Sequence, residues 1–188
     1  MSRIPGTRVL FSPKGGTSRE LVRLIKAAKK EIVVAAYAFS SKYLGQALSA
    51  ALKRSVKIRV LLDADNARKS YSIDEWLTGE GIEVRFIAIK RGSLHHKFML
   101  IDGKLLMTGS YNFTNESEFR NHEAAIFTNH KGLIQSFAAE FERLWSQGIP
   151  AESAVLAGAV ASATPNLAEP AVQPPGDAEA VGSLQDAD

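Results

Sequence analysis

The chain contains no cysteine. That excludes disulfide bridges, thiolate zinc sites and cysteine nucleophiles, and it suits a reducing compartment without proving one. No long hydrophobic run is present: the longest, "IVVAAYAF" from Ile32 to Phe39, is far too short to cross a bilayer. The N-terminus "MSRIPGTRVLF" lacks the apolar core and small-residue cleavage site of a signal peptide. The expectation is a cytoplasmic protein, periplasmic or secreted only if a leader has been removed. From residue 151 onward, lysine, arginine and aromatic residues are all missing.

That last absence divides the chain. All 23 lysines and arginines stand in the first 150 residues beside 14 acids, a net charge of +9. Residues 151–188 hold six acids, four prolines and eleven alanines. Such a composition buries too little apolar surface to offset its ordering entropy, so a disordered acidic Ala/Pro-rich tail is expected over 151–188, its first residues at most transiently helical. The folded domain is expected to span 1–150 and to end at "LWSQGIP", where Gly148 and Pro150 stop a helix. A basic body suggests a polyanionic partner, either nucleic acid or an anionic membrane.

Within the body, apolar strands alternate with amphipathic helices. "RVLFS" (8–12) reads as a strand, and Thr17 with Glu20 reads as a capping box opening a helix through Lys30. "EIVVAAYAF" and "KIRVLLDA" are continuous apolar runs, as in strands covered on both faces, with a helix from Ser41 to Arg54 between them. Residues 66–79 read as helical and "GIEVRFIAI" as a strand. "HKFMLI" and "KLLMTG" flank Asp102-Gly103, a type I′ hairpin signal. "HEAAIFT" is a further strand and "KGLIQSFAAEFERLW" a final helix. The fold class is α/β, with a mixed, mainly parallel β-sheet sandwiched between helices. "SPKGGTSRE" has glycines and a lysine but not Walker A spacing, and reads as a strand-to-helix turn.

The chemistry gathers in "SLHHKFMLIDGKLLMTGSYNFT", residues 93–114. If 95–101 is a strand, His95 and Lys97 share one side and His96 lies opposite with Phe98. An imidazole beside an ammonium suits a bound phosphate: the lysine neutralises oxygen charge, and the imidazole attacks phosphorus or moves a proton. Ser110 and Asn112, again two apart, can both donate hydrogen bonds to phosphate oxygens. Glu123 offers a carboxylate to orient an imidazole, as in a triad. Asp102 sits at a turn where aspartate is favoured and reads as structural. His96 reads as a packing neighbour, His122 as facing away and His130 as a surface residue near the last helix. No carboxylate cluster suits Mg²⁺, and neither a metal nor a cofactor is expected. Lys90, Arg91, Lys104 and Arg120 form a candidate basic rim that could track a nucleic-acid backbone.

His95-x-Lys97, then Asp102, then Gly109-Ser110-x-Asn112 resembles the HxKxxxxD signature with its GSxN extension, the mark of the phospholipase D superfamily. The resemblance runs from "FSPKGG" through "AYAFSS" to "LWSQG", and in length and order it is similar to the small single-motif bacterial endonucleases. Most superfamily enzymes carry two such motifs, but this chain holds one His-x-Lys. The resemblance therefore implies a homodimer with the motifs meeting at the two-fold axis. It also implies a metal-independent mechanism. His95 attacks the phosphodiester to give a phosphohistidine. The partner subunit's His95 protonates the leaving oxygen and then activates water. Lys97 and Asn112 hold the non-bridging oxygens with Ser110 in support, and Glu123 fixes the nucleophile's tautomer. The expected function is a largely sequence-nonspecific endonuclease on DNA or RNA, with no stable membrane association. The alternatives are a phosphatidyl or cardiolipin hydrolase and a non-catalytic nucleic-acid-binding module.

Overall fold

Residues 32–36 have no polar face to offer water, and they lie at the centre of the molecule. In the computed structural model, which describes residues 6–156, the strands are β1 (Arg8–Ser12), β2 (Glu31–Ala36), β3 (Lys57–Asp63), β4 (Glu83–Ile87), β5 (Lys97–Ile101), β6 (Leu105–Gly109), β7 (Glu123–Thr128) and β8 (Ile149–Pro150). The helices are α1 (Thr17–Ala27), α2 (Lys42–Leu52), α3 (Ala64–Ala67), α4 (Asp74–Gly79), α5 (Asn115–Phe119), α6 (Lys131–Gln147) and α7 (Ala151–Leu156). The strands make one sheet in the order β1-β7-β6-β5-β2-β3-β4-β8.

The sheet is mixed and flanked by helices, as expected, but it is not mainly parallel. Among the described residues only β2 with β3 and β3 with β4 pair in parallel; the other five pairings are antiparallel. The reason is local. Only the first half of the chain follows each strand with a crossover helix, whereas β5 and β6 form a hairpin and β7 returns beside β6.

Alternation along the central strands sorts side chains into two cores. Val34, Val60, Met99 and Met107 pack with Leu21 and Ile25 of α1 and Leu44 and Leu48 of α2. Val33, Leu61, Phe98 and Leu106 pack with Ile134, Phe141 and Trp145 of α6. That second layer does not reach the β1 edge. Phe127 belongs to the first core, so Ala124 and Ile126 face the other way. Their cross-strand partners Phe11 and Val9 are 67% and 41% exposed, which leaves an uncovered strip beside α6.

Several boundaries depart from the sequence reading. Thr17 is the first helical residue and Gly16 the cap, at φ 78 with no side-chain cap bond. The carboxylate of Glu118, more than a hundred residues downstream, accepts from Gly16 N–H and Ser18 N–H at 3.1 and 2.9 Å, while Glu20 pairs with Arg8 and Arg23 instead. Helix α1 stops at Ala27 because Asp102 takes the next free amides, those of Lys29, Lys30 and Glu31. The helix expected over 66–79 splits into α3 and α4, since "RKSYS" between them has no apolar face to bury. The body also continues past Pro150: Ile149 pairs with Phe86, and Ala151 is buried in the first core. The expectation for the acidic stretch beyond residue 156 lies outside the described residues.

Candidate active site

Strand order brings four segments to one end of the sheet. Ala36 pairs with Lys97, Phe98 with Thr108, and Gly109 with Ala125. The end of β2, the start of β5, the end of β6 and the start of β7 are therefore neighbours, although up to ninety residues separate them.

Strand β5 begins at Lys97, two residues later than expected, yet pairing persists one step further, because Tyr37 N–H donates to His96 O at 2.9 Å. His95 and His96 consequently diverge. The His95 ring meets Tyr37 edge-on at 4.6 Å between centroids. Lys97 is 8% exposed; its Nζ lies 5.0 Å from the same Tyr37 ring and donates to the main-chain oxygen of His95 at 2.9 Å. Burial pushes the Lys97 ammonium pKa down, and the charge of Glu123 draws it part of the way back. His96 turns to the α6 side, 5.7 Å from the Phe98 ring, with Nε2 3.4 Å from Glu140.

After the hairpin, Gly109 adopts φ 148, and a Cβ there would meet Ala124 O at 2.0 Å, so the close approach of β6 to β7 requires glycine. That approach places Ser110 Oγ 2.5 Å from Glu123 Oε2, to which it donates, and within 3.1 Å of the Ala124 N–H, which it accepts. Asn121 Nδ2 donates to the other Glu123 oxygen at 3.2 Å. Glu123 thus holds Ser110 and Asn121, and makes no hydrogen bond to His95 within the described residues. Asn112 is half-buried, and its amide oxygen is buried with no hydrogen-bond partner among the described residues.

Of the basic rim, Lys90 and Arg91 stand in the loop leading to His95, and Arg120 closes α5 next to Asn121. Lys104 does not join them. It lies in the β5–β6 turn, about 15 Å along the strand from Lys97 at ~3.3 Å per residue. Asp102 is in that same turn. Its carboxylate accepts from Lys29, Lys30 and Glu31, and its own N–H donates to Glu31 O at 2.8 Å. His130 caps α6, its Nδ1 accepting from Leu133 N–H, and His122 is exposed. Among the described residues no three His, Asp or Glu side chains converge as metal ligands.

Three contributors escaped the sequence reading. Tyr37 links His95 and Lys97 but is embedded in an apolar run, where its one polar atom was the only signal. Asp63 is 3% exposed and splits its carboxylate, Oδ2 accepting from Leu94 N–H at 2.8 Å and Oδ1 from Asn66 N–H at 2.9 Å. It thereby fixes the residue before His95. Glu118 joins α5 to the "SPKGG" turn and accepts from Tyr111 OH at 2.8 Å.

Comparison with known proteins agrees with this geometry. Residues 21–145 match the family model described as cardiolipin synthase, PLD-like domain. The chain is 34% identical over 157 residues to human mitochondrial cardiolipin hydrolase, covering 79% of this chain and 62% of that protein. It is also 34% identical over 127 residues to a Rickettsia prowazekii protein named phospholipase D, covering 68% and 62%. The chain thus spans about three fifths of the length of these curated relatives. The crystal structure of Nuc from Salmonella typhimurium, a phospholipase D family member, superposes with a TM-score of 0.71 at 30% identity, over 77% of this chain and 96% of that one. The family match takes in β2 through β7, and with them every side chain gathered at this end of the sheet: the chain belongs to the phospholipase D superfamily.

Proposed function

We propose that the protein is a metal-independent phosphodiesterase acting on nucleic acid through a covalent phosphohistidine. The observation that carries this reading is the meeting of His95, Lys97, Ser110, Asn112 and Glu123 at one sheet end, on a body of charge +9. His95 Nε2 or Nδ1 attacks phosphorus, the P–O bond to the leaving group breaks, and a second imidazole supplies the leaving oxygen's proton. Water then cleaves the P–N bond, restoring His95. Lys97 and Asn112 hold the non-bridging oxygens as negative charge builds. Ser110 and Glu123 brace each other beside them. Lys90, Arg91 and Arg120 flank the site and would meet neighbouring phosphates.

On this reading the second imidazole comes from a second copy, since the sequence holds one His-x-Lys. Two features favour a homodimer. The strip of Val9, Phe11, Ala124 and Ile126 is uncovered next to the site. The Asn112 amide oxygen is also buried without a partner among the described residues, an acceptor that a donor from a second copy would satisfy. Two imidazoles sharing one phosphate titrate as a coupled pair, so kcat/KM is expected to be bell-shaped in pH.

A second reading keeps the chemistry and makes the substrate a phosphatidyl or cardiolipin headgroup. The names of the family model and of the human relative favour it. No helix among the described residues is long and apolar enough to cross a membrane, which leaves a surface-bound substrate open. One panel separates the readings: single- and double-stranded DNA, RNA and cardiolipin vesicles, each with EDTA, for wild type, His95→Ala and His96→Ala. Cleavage of nucleic acid that survives EDTA and His96→Ala but not His95→Ala is expected. Full activity in His95→Ala refutes the nucleophile, and turnover of vesicles alone establishes the lipid reading.

A further inference from the structure

We infer that Tyr71 is a stacking platform for an unpaired nucleobase next to the scissile phosphate, which makes single strands the preferred substrate; this rests on the nucleic-acid reading above. Exposed tyrosines are ordinary, and a half-buried one usually packs its ring inward and leaves its hydroxyl in water. Tyr71 is arranged the other way. The residue is 53% exposed, yet its hydroxyl donates to Asn66 Oδ1 at 2.8 Å, and Asn66 is 7% exposed. The polar end is held by the protein and ring surface is left to solvent.

The ring's position relative to the chemistry is fixed by one carboxylate. Asn66, which anchors Tyr71, gives its N–H to Asp63 Oδ1; Asp63 Oδ2 takes the N–H of Leu94, the residue before His95. The loop that carries Tyr71 is docked on the segment after Tyr37, with Ile73 N–H donating to Phe39 O at 3.2 Å. The Tyr71 phenol also lies near Tyr37, whose ring meets His95, and near the Glu116 carboxylate. Lys69, two residues away and exposed, supplies a cation for the adjoining phosphate. An aromatic face beside a cation is the arrangement that holds single strands without reading sequence. A ring already fixed through its hydroxyl loses little freedom on stacking. A base within a duplex is stacked and paired on its own strand and cannot use the platform without unpairing.

The test uses two single-stranded oligodeoxynucleotides of one sequence, each with a single cleavable phosphodiester, one of them abasic on both sides of it. Wild type is expected to show kcat/KM ~5- to 150-fold higher on the base-carrying strand, the range of one base stack. In Tyr71→Ala that ratio falls toward one, while Tyr71→Trp and Tyr71→Phe, which keep a ring, retain most of it. Thermal unfolding confirms that each variant is folded. An equal ratio in wild type and Tyr71→Ala overturns the inference. A wild type that hydrolyses cardiolipin vesicles but neither strand overturns the nucleic-acid reading, and the platform falls with it. A Tyr71→Ala that loses vesicle binding and leaves the strand ratio intact overturns the platform alone and makes the ring a lipid contact.

Discussion

The ammonium of Lys97 donates to the main-chain oxygen of His95 at 2.9 Å while lying over the Tyr37 ring that the His95 imidazole also touches. The two members of the pair are thus tied through backbone and ring together. The lysine is buried for this purpose, and burial opposes its charge.

Lys97→Met is expected to reduce kcat/KM by about 10²–10³-fold or more, the loss typical of one transition-state donor. It is also expected to raise the melting temperature at neutral pH. The sign follows from the depressed pKa: the unfolded state holds this proton more tightly than the folded state, so wild-type stability rises with pH between the folded and unfolded values. The advantage of Lys97→Met should therefore shrink as pH is raised through that window. Melting curves at neutral and alkaline pH check it, and a variant less stable than wild type at both would contradict it.

Asp102→Ala removes the acceptor of three main-chain amides and leaves alanine at φ 55, a conformation that aspartate tolerates better. A loss of about 2–4 kcal/mol in urea unfolding is expected. Well below the transition, kcat/KM should fall far less than in Lys97→Met. A loss as deep as that of Lys97→Met in a folded Asp102→Ala would give the aspartate a chemical role.

Tyr111 is 1% exposed and its hydroxyl donates to Glu118, itself 5% exposed. Burial, with the Glu118 charge beside it, pushes the phenol pKa upward, so it remains a donor throughout the working range. Tyr111→Phe should cost about 1.5–3 kcal/mol, as for a bond to a charged group, with an unchanged urea m-value.

Phe11→Glu places a charge on the uncovered strip, where the side chain has few contacts to lose. Unfolding free energy should move by less than ~0.5 kcal/mol. If a second copy covers this strip, sedimentation should show a monomer and activity should fall with association. A fully active monomer would rule out the shared site.

Much of the fold was legible because its signals are local. Val33 and Val34 pack on opposite faces as a doubly covered strand requires, and the turn at Asp102-Gly103 has positive φ at both residues, as type I′ demands. His95 and Lys97 do meet, and His96 does turn away, although the strand starts only at Lys97. What was hidden depends on distant partners. Thr17 and Glu20 have the spacing of a capping box, but the helix start is held by Glu118, which reaches from α5 to the amides of Gly16 and Ser18, and no spacing rule spans that separation. Lys104 is close to Lys97 in number and far in space, because a strand carries them apart. Strands alternating with helices imply a mainly parallel sheet, and the later antiparallel pairings reverse the majority.

The bonds that Asp102 makes lie at the far end of the sheet from His95. Its carboxylate holds the amides before β2, and its own N–H meets Glu31 O, so the β5 turn is clamped to the start of β2. The clamp acts as an alignment pin. Sliding β5 by one residue against β2 would exchange the faces of every side chain on it, carrying the Lys97 ammonium into the Phe141–Trp145 core and away from Tyr37. Mechanical accuracy at one end of two strands is therefore set at the other, and the aspartate belongs with the histidine and lysine as the part that keeps them in step.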